Sequence, residues 1–299
     1  MITLAEAQKL SQDDLVGGVI ENIVTVNPMF ELLPFGTILG NAKTYNRELT
    51  LGDAQWLGRG DTITAKSGDT FTKVTTDLTT LVGDAEINGL DVAQGIGGQD
   101  ASSIQIASKA KTIARDYQDV MVNGLAATAN QFSGMIELVS TASQIVDASS
   151  AALTLDMLDD VLIKVLSKGA DVDFLCMHGK AINKLRSINR ALGGTDMEQV
   201  MINGIQFTQW AGVTILRNDY IPVNLGVGTN ETVIFAGNFD DGSEKVGLAG
   251  LTGANNFGIS VESVGISEDK DQEVWRVKFY NSLALFSDLG LAKIANVIV

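Results

Sequence analysis

Residues 44–81 read TYNRELTLGDAQWLGRGDTITAKSGDTFTKVTTDLTTL. Asn41 to Leu51 has the mixed polar and apolar composition of a strand, and so does Thr70 to Leu81, with Thr70, Thr72, Thr75, Thr76, Thr79 and Thr80. Between them, Gly52 to Gly68 is rich in Gly, Asp and Thr and holds Trp56. Two such runs around a turn-forming tip predict a long hairpin. Its apolar content is too low for a core of its own, and a lone two-stranded ribbon is marginal in water. The ribbon is therefore expected to lie on another subunit.

On the N-terminal side, Thr3 and Glu6 have capping-box spacing, and Ser11 with Asp14 offer a second helix start. Leu15, Val19, Ile20, Ile23 and Val24 then recur at helical spacing up to Asn27-Pro28, which stops the helix. Met29, Phe30, Leu32, Leu33, Pro34 and Phe35 follow as a dense apolar cluster in an extended stretch. On the C-terminal side, Gly89 to Gly98 is a glycine-punctuated link. Ser102 and Gln105 fit another capping box, and Ile106, Ala110, Ile113, Ala114, Tyr117, Val120 and Met121 mark the stripe of a long helix ending near Gly124. Such a helix spans roughly 30–37 Å.

From Ile136 the pattern alternates strands and helices. Ile136 to Val139 reads as a short strand; Thr154 caps a helix with Leu155, Leu158, Val161, Leu162, Val165 and Leu166 on one stripe, closed by Gly169. Asp173 to Met177 is a buried strand and Gly179 to Leu192 a second helix. Val213 to Leu216, Thr232 to Ala236, Phe257 to Val264, Val274 to Phe286 and Leu291 to Val299 complete the strands, while Gly247 to Gly258 reads as loop and turn.

Composition removes several functions. The 299 residues carry 21 Lys+Arg against 36 Asp+Glu, a formal charge of -15, with 45% hydrophobic residues. That is enough for a folded core. One His and one Cys exclude a multi-cysteine zinc site and a disulfide framework. An acidic chain releases few counterions on nucleic acid, which argues against a tight DNA reader. No apolar run reaches the roughly 18–20 residues of a membrane span. Met1 to Leu10 lacks the apolar stretch of a secretory signal, so a cytosolic origin is expected.

No segment assembles chemistry. Cys176 and His178 alternate before a helix, but two ligands do not make a metal site, and a buried Cys with a His at a strand–helix corner is the simpler reading. Asp240-Asp241-Gly242 is a turn, and Gly95-Ile96-Gly97-Gly98 lacks the spacing of a dinucleotide fingerprint. No nucleophile, base and orienting group share a local signature, so no enzyme and no cofactor are expected. Lys180, Lys184, Arg186 and Arg190 make one helix basic, either as a solvated face or as a contact with acidic surface of a neighbouring subunit.

The order of these parts resembles the major capsid proteins of tailed bacteriophages, the Hong Kong 97-type coat proteins. The likeness is carried by the amphipathic arm Leu4 to Ile23 running into Met29 to Phe35, the ribbon Tyr45 to Leu81, the helix Gln99 to Gly124, the strand–helix unit Asp173 to Ala191, and the late strands Phe257 to Phe286 and Leu289 to Val297. The resemblance implies an α+β fold with an N-arm (1–40), an E-loop ribbon (41–84), a P-domain with a long spine helix (85–135 and 251–288), a central A-domain (136–250) and a returning strand (289–299). It also implies hexamers and pentamers of one chain closing an icosahedral shell around double-stranded DNA, in a virion assembled in the host cytoplasm. A portal is an implied partner, and since no long charged helical segment precedes the arm, a separate scaffold protein or prior cleavage of a fused one is implied as well. Phe30, Leu33, Trp56, Arg59, Lys66, Phe71, Lys184 and Arg190 are the expected interface residues. An encapsulin-like bacterial compartment, sharing the fold but holding protein cargo, is the alternative.

Overall fold

Short buried strands interleaved with two amphipathic helices in the C-terminal half build a seven-stranded sheet, as seen in a computed structural model of the chain. The structure describes residues 28–40, 42–90, 101–193, 199–202, 205–225 and 230–299. The expected arm over Leu4 to Ile23 and the segment Gly95 to Gly98 lie outside the described residues.

The first elements are α1 (Pro28–Leu32), β1 (Phe35–Ile38), β2 (Ala42–Thr50), β3 (Thr70–Asp77), β4 (Thr79–Asn88) and the long helix α2 (Ala101–Asn123). The helix includes Ser102, so the expected cap lies inside it. Next come α3 (Met135–Leu138), β5 (Ile145–Asp147), α4 (Leu155–Leu166), β6 (Phe174–Met177) and α5 (Gly179–Ala191). The chain continues through β7 (Gln199–Ile202), β8 (Ile205–Trp210), β9 (Val213–Arg217), β10 (Glu231–Gly237), β11 (Leu248–Gly253), β12 (Ile259–Ile266), β13 (Gln272–Leu285) and β14 (Leu291–Ile298).

The large sheet runs β5-β14-β10-β6-β9-β8-β7. At its centre β6 and β10 are buried along their whole length, and β6 and the stretch Val233 to Ala236 of β10 are wholly apolar. Leu175, Met177, Ile234, Ala236, Ala292 and Ile294 join Leu158, Val161, Leu162 and Val165 of α4 and Ala181, Ile182 and Leu185 of α5 in one core. Thr154 caps α4 as expected, its hydroxyl accepting from the Met157 N–H at 3.3 Å.

A second sheet runs β1-β11-β13-β12, with β4 also paired to β13. Here two expectations fail. Met135–Leu138 is a short helix where a strand is expected over Ile136 to Val139, because a four-residue run carries no usable period. Leu248–Gly253 is a buried strand instead of loop, parallel to β1 with Phe35 opposite Gly250. A Cβ at Gly250 would stand 2.5 Å from the Phe35 ring, so this glycine serves close packing rather than a turn.

The described residues form two compact units. The smaller takes in Gly83–Lys111 and Val261–Val277; the larger takes in 28–82, Thr112–Ser260 and Lys278–Val299. In the smaller, Arg276 forms a two-pronged pair with Asp84 at 2.8 and 2.7 Å. In the larger, the ring of Tyr117 from α2 packs against Phe30, Phe35, Phe132 and Phe279, with centroids 5.1–6.1 Å away. Neither unit coincides with a single expected segment: the larger joins the ribbon to 136–250 and to the second half of α2.

Candidate assembly interface

The ribbon has a root and a tip with different physics. At the root, β2 and β3 pair antiparallel from Ala42 opposite Asp77 to Thr50 opposite Thr70, with an irregularity between Glu48 and Thr50. The face carrying Tyr45 and Arg47 is anchored to the body. The Tyr45 hydroxyl donates to the Leu285 carbonyl at 2.9 Å, and Arg47 Nε donates to the Phe286 carbonyl at 3.0 Å. Arg47 also pairs with Asp288, and Lys43 with Glu244. The Tyr45 and Phe286 rings meet edge to face at 5.2 Å. A polar cleft of about 430 Å³ opens beside this root, between Tyr45, Arg47, Thr75, Glu137 and Ser282.

Beyond Thr50 and Thr70 the backbone ladder stops and side chains span the gap. Asp69 accepts from the Gly52 N–H at 2.6 Å, and Asp53 accepts from the Ser67 N–H at 2.8 Å. Gln55 Oε1 accepts from the N–H groups of Thr64 and Ala65 and from the Thr64 hydroxyl, at 2.6–2.7 Å. Asp61 accepts from the Gly58 N–H at 2.7 Å and closes the apex. The tip thus has a defined shape and almost no buried apolar surface. Trp56 is 103% exposed, and Leu49, Leu51, Ile63 and Phe71 are also exposed. Among the described residues nothing covers the Trp56 ring, and the other four side chains are each more than half exposed, which is the signature of surface held for a partner.

The expected interface residues fall into three groups. Trp56, Arg59, Lys66 and Phe71 are exposed on the ribbon. Lys184 and Arg190 lie on α5, where Arg190 Nε donates back to the Arg186 carbonyl at 3.3 Å, while Lys180 and Arg186 bond Asn230 and Thr208. Leu33 is buried at 4% exposure, and the half-buried Phe30 packs its ring on Tyr117 at 5.6 Å, so both pack within the subunit. Sequence reading missed the Gln55 clasp, which no local pattern announces. The strand expected over Phe257 to Val264 is β12, but the sequence does not place it at the end of its sheet, where Val261, Val264 and Ile266 are exposed. A bare sheet edge with apolar side chains invites pairing with another chain.

The single histidine has a structural task. His178 caps α5, its Nδ1 accepting from the Lys180 N–H at 3.0 Å, so the neutral ring carries its proton on Nε2. Nε2 lies 3.9 Å from Asp219 Oδ1, and Arg217 holds the same carboxylate. Partial burial lowers the His178 pKa below its ordinary 6.5, outweighing the attraction of Asp219. A folded-state pKa below the unfolded one means that stability is fully present above pH ~6.5 and declines as pH falls toward the folded value. Wild type should therefore lose more thermal stability between pH 7.5 and 5.5 than His178→Asn, which caps without titrating; a helix cap contributes about 1 kcal/mol. Superimposable pH curves for the two proteins would remove His178 as the source. On the preceding strand, burial pushes the Cys176 thiol up to about 12, so it stays protonated and inert.

Among the described residues, no helix is long and apolar enough to cross a membrane, and no cluster of three or more His, Cys, Asp or Glu is placed to hold a metal. A packed body, a long helix and a ribbon that fastens its own tip while leaving Trp56 bare define the class: a shell-forming subunit of the Hong Kong 97-type capsid fold. The chain is similar to the subunit in the holo-SrpI encapsulin complex from Synechococcus elongatus PCC 7942, with 20% identity, a TM-score of 0.76, and coverage of 100% of this chain and 96% of that one. It is also similar to the cyanophage A-1(L) capsid subunit, with 13% identity, a TM-score of 0.75 and coverage of 97% and 98%. The capsid of a native GTA particle matches with 12% identity, a TM-score of 0.72 and 98% coverage of each chain. Residues 125–299, more than half of the chain, match the family model for the type 2A encapsulin shell protein SrpI-like, and the chain belongs to that family. No curated protein matches it.

Proposed function

We propose that this chain is the shell protein of an encapsulin-type compartment, closing with copies of itself into an icosahedral container for protein cargo. The observation that carries this reading is the family match over residues 125–299. The exposed ribbon tip and the bare β12 edge support it, since both call for copies of the chain as neighbours. The role is geometric: one subunit repeated by symmetry encloses a volume, and the chain performs no reaction. The sequence taken by itself placed the phage coat first and the compartment second; the family match reverses that order. A coat that packages DNA with a portal and a scaffold is the second reading, supported by the likeness to the cyanophage capsid.

Expression of the chain alone, followed by electron microscopy and analysis of the particles' contents, tests both. The compartment reading expects closed shells free of nuclease-protected DNA, which fill when a cargo protein encoded nearby is co-expressed. Shells that fill with protected DNA through a portal vertex would move the assignment to the coat. Monomers under every condition would reject both readings.

A further inference from the structure

We propose that Gln55 is a positioning residue: its amide sets the ribbon tip in one shape before a second copy is met, and so presents Trp56. This rests on the shell reading above. The tip needs such a device. Gly52, Gly58, Gly60 and Gly68 loosen it, no strand ladder reaches it, and it has no core. Below the apex pair of Gly58 and Asp61, the cross-ribbon bonds farthest from the root are those of Gln55. Its Oε1 gathers three donors on Thr64 and Ala65, and its Nε2 donates to the Thr62 carbonyl at 3.2 Å. One side chain therefore closes a ten-residue excursion, from position 55 to Ala65.

Direction follows from alternation. In extended chain, successive side chains point to opposite sides. With Gln55 turned inward to its four partners, Trp56 is turned outward, where it is fully exposed. A tip without the clasp would have to be ordered during docking, and that loss of freedom is subtracted from the affinity of every contact in the shell.

The test compares wild type, Gln55→Met and Gln55→Glu. Met keeps the length and removes the hydrogen bonds; Glu keeps the acceptor for Thr64 and Ala65 but sets a second carboxylate oxygen, an acceptor, against the Thr62 carbonyl. In dissociated subunits, amide exchange over residues 62–66 should quicken at least tenfold in Gln55→Met, with the melting temperature unchanged. The concentration needed for shell formation should rise at least tenfold in Gln55→Met and recover in part in Gln55→Glu. Exchange equal to wild type, or shells forming at the wild-type concentration, overturns the proposal. A wild type that never closes shells overturns the shell reading and the docking half of this one, while the exchange measurement still decides the clasp.

Discussion

Trp56→Ala should yield a folded subunit that no longer closes shells. The indole is uncovered by the described residues at 103% exposure, so its removal should change subunit stability by no more than about 0.5 kcal/mol. In a shell the same ring is expected to find a partner. Full burial of a tryptophan removes roughly 150–250 Å² from water. An aromatic anchor of this kind typically contributes about 2–4 kcal/mol to an interface. That is roughly 30- to 1,000-fold in each pairwise contact. Every subunit in a closed shell would give one such contact and receive one, so the loss is repeated around the particle. Size-exclusion chromatography with electron microscopy reads the assembly, and thermal unfolding of dissociated subunits reads the fold, since assembly itself adds apparent stability. Deleting Gly52 to Thr70 should have the same outcome, because the root bonds of Tyr45 and Arg47 lie outside the deletion. Normal shells from Trp56→Ala would show that the indole is not an anchor, and unfolding of the deletion would place the tip inside the subunit's own core.

The ribbon and the strand–helix unit from Phe174 to Ala191 were legible in the sequence because their causes are local. Threonine-rich runs around a glycine-rich tip have few other ways to fold, and Phe174 to Met177 is a buried run whose following helix stops before Gly193, where φ is +79°. What escaped depends on distant partners. Gly250 looks like a turn residue until Phe35, more than two hundred positions earlier, occupies the space a side chain would need. Phe30 looks like surplus apolar surface until Tyr117 is seen beside it. Gln55 is an ordinary polar residue in sequence, and only the folded tip brings Thr62, Thr64 and Ala65 around it. The contents of a shell are a step further removed. They depend on what the interior surface attracts and on which other proteins are made beside it, and one fold serves both compartments and virions.

Tyr117→Ala should produce the opposite pattern, a subunit that fails before assembly begins. The Tyr117 ring is 1% exposed and joins four rings from separate parts of the larger unit: Phe30 of α1, Phe35 of β1, Phe132 beyond the end of α2, and Phe279 of β13. Truncating a buried aromatic side chain costs about 3–5 kcal/mol, because the surrounding rings cannot all collapse into the space. Phe35 is least able to move, since its ring already fills the gap above Gly250. Against a total stability of about 5–15 kcal/mol, that loss is a large fraction. A melting temperature lower by about 10 °C is expected. Tyr117→Phe separates the ring from its hydroxyl. The oxygen lies 3.5 Å from the Ser282 carbonyl, too long for a strong O–H···O bond, and burial pushes its pKa well above the ordinary value of 10. Removing a buried hydroxyl so weakly partnered should cost less than about 1 kcal/mol. If Tyr117→Ala melts within two degrees of wild type, the aromatic cluster is not what joins these elements. If Tyr117→Phe matches Tyr117→Ala instead, the hydroxyl and not the ring carries the effect.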